Sequence, residues 1–271
     1  MPRPIRLGLA RTIAPIFQRL MPQEYSAARH NMTRILPHAD DTKIDRTVQM
    51  LFRNFASVFS DLLSLNRQAL STQQRYQRHV HGLEHLQEVL ASPRGFVAAT
   101  AHIGNWELAG RLLLSFGRPL YVLMAPEQHA AVQRLLRDDD QPEGLHFVTN
   151  ESNGGFVQLL MALRRGAIVA VQADRVTGHR SDVAVPFFGT PARFPGGPFT
   201  LAAAAQVPVL PCFCVLRPDH QYDIYVDPAI TVSRGHEDVA VREMVRVLEH
   251  YITRAPDQWF NFYDFWNCPS T

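Results

Sequence analysis

From Tyr76 onward, short apolar runs alternate with amphipathic ones, and this alternation constrains the fold more than any other feature of the chain. Gly95–Ala101, Pro119–Met124, Leu145–Thr149, Ala167–Gln172, Asp182–Phe188, Val209–Leu216 and Tyr222–Val226 have the length and residue types of buried strands. Between them, Leu83–Leu90, Trp106–Phe116, Gln128–Asp138, Phe156–Arg165, Phe199–Ala205 and Val239–Thr253 show helical spacing. Alternation of this kind predicts an α/β fold, with a mostly parallel or mixed central sheet flanked by helices. In such sheets ligands bind outside the carboxyl ends of the strands. His102 and Asp174 each follow an expected strand, so both should face one crevice.

Upstream, Ile44–Leu70 is a long helical pattern whose apolar face includes Val48, Leu51, Phe52, Phe55, Val58, Phe59 and Leu62. Residues 1–74 are therefore expected to form an N-terminal helical region, and residues 75–271 one compact α/β unit. The formal charge of +2 is too small to indicate a nucleic-acid partner. Three cysteines, Cys212, Cys214 and Cys268, make no disulfide framework and suggest a reducing, cytoplasmic compartment. His79, His81 and His85 lack a carboxylate or cysteine to complete a metal set, so no metal is expected. A cleavable signal peptide is not expected either, nor a membrane-spanning helix, which needs about 20 apolar residues.

The stretch Thr-Ala-His-Ile-Gly-Asn-Trp-Glu, residues 100–107, raises the question of chemistry. On one helix His102 and Glu107 would point roughly 140° apart, since each residue turns about 100°. A strand, a tight turn at Gly104 and Asn105, and a helix from Trp106 would instead let the two side chains meet. An imidazole with one nitrogen bonded to a carboxylate has a fixed tautomer, which leaves the other nitrogen as a base. A second stretch, Val171–Ala202, places Asp174 and Arg175 after a strand, Arg180 before another, and Arg193 ahead of Pro-Gly-Gly-Pro. Arginines among glycines suit a loop that holds an anionic group. A solvated loop with surface arginines is the plainer alternative.

These residues resemble a known family. Ala-His-Ile-Gly-Asn-Trp-Glu matches the His-x4-Asp/Glu motif of the lysophospholipid acyltransferase superfamily, to which the glycerol-phosphate acyltransferases belong. The upstream VHGLEHLQEVL, the ADRVTGHRSDVAVPFFG stretch and the closing APDQWFNFYDFW resemble the superfamily's lipid A branch. That branch holds the late lauroyl and myristoyl acyltransferases and the related mannoside acyltransferases. The resemblance runs from about Asn31 to Trp266. It implies a glycerol-phosphate acyltransferase-like fold and transfer of a fatty acyl group from an acyl carrier protein or coenzyme A thioester to a hydroxyl of a lipid or glycolipid. No cofactor is implied.

By the same resemblance, His102 is the general base and Glu107 holds its imidazole. Backbone N–H groups near Gly104 and Asn105 would stabilise the oxyanion, Asn105 and Arg175 would contact substrate, and Arg180 and Arg193 would hold a phosphate. Asp174 either orients the acceptor hydroxyl or pairs with Arg175 or Arg180. A hydrolase acting on acyl thioesters with the same base, and a lipid-binding protein without catalysis, are the alternatives. The setting implied is the cytoplasmic face of a bacterial inner membrane, with the protein bound peripherally. Ile5, Leu9, Ile13, Ile16, Phe17 and Leu20 recur at helical spacing among several arginines. Such a helix either lies in a membrane interface or packs on its own domain. The aromatic tail from Trp259 to Trp266 allows the same two readings.

Overall fold

The computed structural model describes residues 1–65, 76–124, 143–149, 154–176 and 181–267. Three helices open the chain: α1 (Arg3–Leu20), α2 (Pro22–Ile35) and α3 (Asp41–Leu65). The face of α3 that carries Ile44, Val48, Leu51, Val58 and Leu62 is buried, and these residues join one core that continues through the sheet. Helix α1 lies along α3 and buries only Leu7 and Ala14. Its position is set by charge. Asp61 of α3 is fully buried and accepts from Arg3 Nη2 at 2.7 Å, Arg6 Nη2 at 3.2 Å and the Tyr222 hydroxyl at 3.0 Å. Leaving a buried carboxylate unpaired costs several kcal/mol, so both arginines must stay on that face. Ile5, Leu9, Ile16, Phe17 and Leu20 are thereby turned outward, each more than half exposed. No described helix is long and apolar enough to cross a membrane.

The strands and remaining helices follow in alternation: β1 (Gln77–His81), α4 (Leu83–Leu90), β2 (Phe96–Thr100), α5 (Trp106–Leu114), β3 (Leu120–Met124), β4 (Leu145–Thr149), α6 (Gly155–Arg164) and β5 (Ile168–Gln172). A hairpin of β6 (Val183–Phe187) and β7 (Thr190–Phe194) precedes α7 (Gly197–Ala205), β8 (Val209–Leu216), β9 (Tyr222–Val226) and α8 (Glu237–Arg254). Seven strands form one mixed, mostly parallel sheet in the order β1-β9-β8-β2-β5-β3-β4. Among the described residues, only the β8–β9 pairing is antiparallel within it. The expected helix at Gln128–Asp138 lies outside the described residues. Three elements are not among the expected strands and helices, the first being β1, whose Gln-Arg-His-Val-His run is too polar to read as a buried strand. Helix α2 has a weakly apolar, polar-rich pattern, and β7, with Pro191 inside it, looks like part of a loop.

Register positions the crevice. β2 and β5 are parallel neighbours, pairing Phe96 with Ile168 and Thr100 with Gln172. Two residues beyond each strand end, the same register sets His102 beside Asp174. The chain after Val226 then returns through α8 and a 3-10 turn (Pro256–Gln258) to lay a C-terminal strap across that point. Asn31, Asn54 and Gln258 help to fasten the strap. Asn31 Nδ2 donates to the Tyr263 carbonyl at 2.8 Å, and its oxygen accepts from Phe265 N–H at 3.1 Å. Asn54 Nδ2 donates to the Asp257 carboxylate at 2.9 Å. The Gln258 amide exchanges two 2.8 Å hydrogen bonds with the backbone of Leu216.

Gly104 makes the turn between β2 and α5 possible. Its φ is +54°, and a Cβ there would stand 2.0 Å from the Cys214 carbonyl oxygen. Gly104→Ala therefore has both a left-handed backbone and a backbone clash to resolve. We expect a loss of roughly 3 kcal/mol or more in urea unfolding, and a loss under about 1 kcal/mol would show that the turn relaxes freely.

Candidate active site

His102 leaves the end of β2 and Asp174 the end of β5, and the two are bonded. Asp174 Oδ1 lies 2.8 Å from His102 Nδ1, while Oδ2 accepts from His102 N–H at 3.0 Å. The strap supplies two more donors to Oδ2, Trp259 Nε1 at 3.0 Å and Asn261 Nδ2 at 3.4 Å. The carboxylate is fully buried. Burial alone would raise its pKa. The charge of His102, hydrogen bonds from its ring and backbone, and the charge of Arg175 overcome that and hold it well below the usual carboxylate range. An ionised Asp174 keeps the Nδ1 proton on the imidazole, so proton transfer by this ring runs through Nε2.

Glu107 is placed differently from the expectation. The carboxylate on His102 Nδ1 is Asp174, and that of Glu107 pairs with Arg111 one helical turn along α5 at 3.4 Å. The reason is geometric. Residue 107 lies inside the first turn of α5, whereas parallel register carries Asp174 directly to the imidazole. Burial raises the Glu107 pKa, against the opposing pull of Arg111. Glu107 still lines the same cavity as His102.

The turn also spends its backbone donors elsewhere. Gly104 N–H donates to the Gln258 carbonyl at 3.0 Å and Asn105 N–H to the Cys214 carbonyl at 2.8 Å. Neither is therefore an oxyanion donor, which corrects the sequence expectation. The Asn105 side chain caps α5, accepting from Leu108 N–H at 3.1 Å, and the residue is fully buried. Arg175 lines the cavity, with Nη2 on the Phe260 carbonyl at 3.1 Å and its guanidinium 5.6 Å from the Tyr263 ring. Arg193 sits exposed on the β6–β7 hairpin, bonded to the Asp182 carbonyl at 3.1 Å, and is not part of the cavity wall. Arg180 lies outside the described residues.

The cavity beside His102 has a volume of 390 Å³, within the ordinary range for ligand sites. One side is the sheet face bearing Val122, Phe147 and Ala170. Phe59 and Leu62 of α3 and Leu114 of α5 close much of the rest. Its charged members are His102, Glu107, Arg111 and Arg175. Thr100 and Gln172, opposed in register, add polar side chains near His102. Sequence reasoning missed Trp259, Asn261 and Arg111. The closing Gln-Trp-Phe-Asn was noticed as a motif, but nothing local said that its polar atoms serve a carboxylate far upstream. Of the two readings of the aromatic tail, its packed residues fit the interior one: Trp259, Phe260 and Phe265 are buried, and Phe187 of the hairpin meets Trp259 at 5.7 Å.

The fold and site together are a parallel-sheet crevice in which a carboxylate-bound histidine opens on a largely apolar cavity. The chain belongs to the bacterial lipid A biosynthesis acyltransferase family, whose model matches residues 1–267. Among its relatives is the phosphatidylinositol mannoside acyltransferase of Mycobacterium tuberculosis (strain CDC 1551 / Oshkosh), 29% identical over 247 residues, which cover 88% of this chain and 76% of that protein. The lipid A biosynthesis palmitoleoyltransferase of Escherichia coli (strain K12) is 21% identical over 263 residues, 96% of this chain and 84% of that one. The lauroyltransferase of the same organism is 23% identical over 266 residues, again 96% and 84%.

A carboxyl held below its ordinary pKa contributes stability that is complete above its unfolded value, near pH 4, and is lost as pH falls from there. Urea unfolding of the wild type should therefore weaken on acidification below about pH 4, and Asp174→Asn should weaken less steeply. Equal acid slopes would assign that loss to other carboxylates.

Proposed function

We propose that this acyltransferase moves a fatty acyl group from an acyl thioester, carried by acyl carrier protein or coenzyme A, to a hydroxyl of a lipid or glycolipid. The observation that carries the reading is the 2.8 Å bond between His102 Nδ1 and a buried, ionised Asp174 beside the apolar cavity. His102 Nε2 takes the proton of the acceptor hydroxyl as its oxygen attacks the thioester carbonyl. The tetrahedral intermediate collapses with loss of the thiolate, which recovers that proton from the imidazolium. Asp174 keeps the ring in the productive tautomer and stabilises its transient positive charge. Both carbon–oxygen bond formation and carbon–sulfur cleavage occur at one carbonyl, so no acyl-enzyme is needed.

The apolar wall receives the acyl chain, at about 0.8 kcal/mol per methylene removed from water. Arg111 and Arg175 are the cations of the cavity wall and hold the anionic part of donor or acceptor. Glu107 acts beside the base, through Arg111, and not as its Nδ1 partner. A glycolipid acceptor is supported by the relatives, one named for phosphatidylinositol mannoside and others for lipid A. Residues 1–74 form the membrane-facing helical region and residues 75–271 the transferring unit, working peripherally on the cytoplasmic face of the inner membrane. The exposed stripe of Ile5, Leu9, Ile16, Phe17 and Leu20 supports that placement, since a lipid acceptor lies in the bilayer and a thioester donor is water-borne.

His102→Ala should lower turnover by ~10²–10⁴-fold with folding little changed. His102→Ala combined with Asp174→Asn should cost no more than the worse single change, because residues acting as one unit are strongly non-additive. Full multiplication of the two losses would mean that they act separately. Lipid mass spectrometry of cells with and without the protein tests the reaction itself: a lipid should gain one acyl chain. Release of free fatty acid with no acylated lipid would make the protein a thioesterase. Leu9→Ser with Phe17→Ser should weaken binding to vesicles of any lipid charge while leaving the fold intact, since both side chains are already in solvent.

A further inference from the structure

Beside the helix that carries the outward apolar stripe lies a second cavity, separate from the one at His102. It has a volume of 450 Å³ and is lined by Arg3, Gly8 and Arg11 of α1 and by Asp219 and His220 of the turn between β8 and β9. At about 100° per residue, Gly8 and Arg11 stand on a flank of α1 between its buried side (Leu7, Ala14) and its exposed apolar side (Ile5, Leu9, Ile16). If that apolar side dips into a bilayer, this flank rides at headgroup depth.

The charges of the cavity are unequal. Arg3 is committed to Asp61 and also donates through Nη2 to the His220 carbonyl. Asp219 is taken by Arg217 at 3.4 Å and by the Gln221 N–H at 3.1 Å. The Arg11 side chain makes no ion pair or hydrogen bond among the described residues, and its charge acts on His220. His220, held in a left-handed conformation with φ of 63°, has a buried Nδ1 without a partner. Burial first, and then the charges of Arg11 and Arg3, push its imidazole pKa down against the opposing charges of Asp61 and Asp219. Gly8 leaves the cavity open: a Cβ there would meet nothing within 4 Å. The cavity thus combines an uncommitted guanidinium, an unsatisfied imidazole nitrogen and free space against a membrane-directed helix.

We propose that this cavity binds the phosphate diester of an anionic phospholipid headgroup, with Arg11 as the principal ligand and His220 beside it. The proposal rests on the reading of α1 as membrane-facing and adds a defined, saturable lipid site to what would otherwise be diffuse attraction. A guanidinium matches two phosphate oxygens at once, which a screened surface charge does not. The site also couples to the fold. The turn that presents His220 joins β8 to β9, and Tyr222 at the start of β9 bonds the Asp61 that fixes α1.

The deciding variant is Gly8→Gln, which fills the cavity without altering charge or the apolar stripe. It replaces glycine by a better helix former, so its melting temperature should not fall. Full-length protein is sedimented with vesicles of phosphatidylcholine alone and of phosphatidylcholine with phosphatidylglycerol, at physiological and at high salt. At high salt, where diffuse attraction is screened, wild type should still prefer the phosphatidylglycerol vesicles. Gly8→Gln and Arg11→Gln should each weaken that preference by about tenfold, the loss of one charge-assisted contact, and leave binding to phosphatidylcholine unchanged. Wild-type preference in Gly8→Gln would overturn the site and leave only diffuse charge. Inorganic phosphate is titrated in parallel and followed by its phosphorus NMR line width. Broadening that Gly8→Gln abolishes, with lipid preference intact, would make this a free-phosphate site and overturn the lipid source. Undiminished binding of Leu9→Ser/Phe17→Ser to both vesicle types would overturn the membrane-facing helix and the lipid source with it, whereas loss of both types there, with Gly8→Gln losing only the phosphatidylglycerol preference, supports the proposal.

Discussion

A single negative charge, Asp174, organises the structure around His102. A carboxylate with no access to water costs several kcal/mol unless every lone pair is occupied by a good donor. Asp174 finds its donors on two distant parts of the chain: the ring and backbone of His102 at the end of β2, and the side chains of Trp259 and Asn261 on the C-terminal strap. The strap must then be fixed to within hydrogen-bond tolerance, and that need accounts for several other buried polar groups. Asn31, Asn54 and Gln258 are not scattered satisfied residues. Each bonds the strap or the strand beside it. The helical region and the sheet are thus tied together at the point where His102 is oriented.

A second buried carboxylate, Asp61, does for α1 what Asp174 does for the strap. Apolar burial alone would have turned the Ile5–Leu20 stripe inward, because that gives the largest loss of exposed hydrocarbon. The pairing of Arg3 and Arg6 with Asp61 turns it outward instead. The result is a contiguous row of exposed hydrocarbon on α1, the kind of surface on which the proposed membrane contact rests.

The sheet and most of its helices were legible because their periodicities are strong and local: Val209–Leu216 and Tyr222–Val226 lie where the apolar runs put them. Helix α2 was not, since its apolar residues are sparse and its burial comes from tertiary contact with α3. At the site, His102 was legible as a residue leaving a strand, but its partner was not. Glu107 attracted the assignment by nearness in sequence, whereas the true Nδ1 contact spans 72 residues and is set by strand register. Register is fixed by which strands become neighbours, and no local pattern carries that information. The same limit hid Trp259 and Asn261. It also explains the oxyanion error: the Gly104 and Asn105 amides look unpaired in sequence, but Gln258 and Cys214 claim them.

The placement of Glu107 changes how the His-x4-Glu pattern is to be understood here. Were Glu107 the orienting acid, the motif would be self-contained and the rest of the chain a scaffold. With Asp174 bonded to Nδ1, Glu107 pairs instead with Arg111 inside the cavity, where burial raises its pKa and the charge and hydrogen bond of Arg111 oppose that rise. A buried pair of opposite charges contributes little net charge to an apolar cavity, yet presents a guanidinium to any anion that enters. The five-residue spacing then has a physical meaning of its own. It sets His102 at the end of a strand and an acid–arginine pair on the first turns of the next helix, so that an imidazole and a guanidinium line one cavity from opposite sides of a single tight turn.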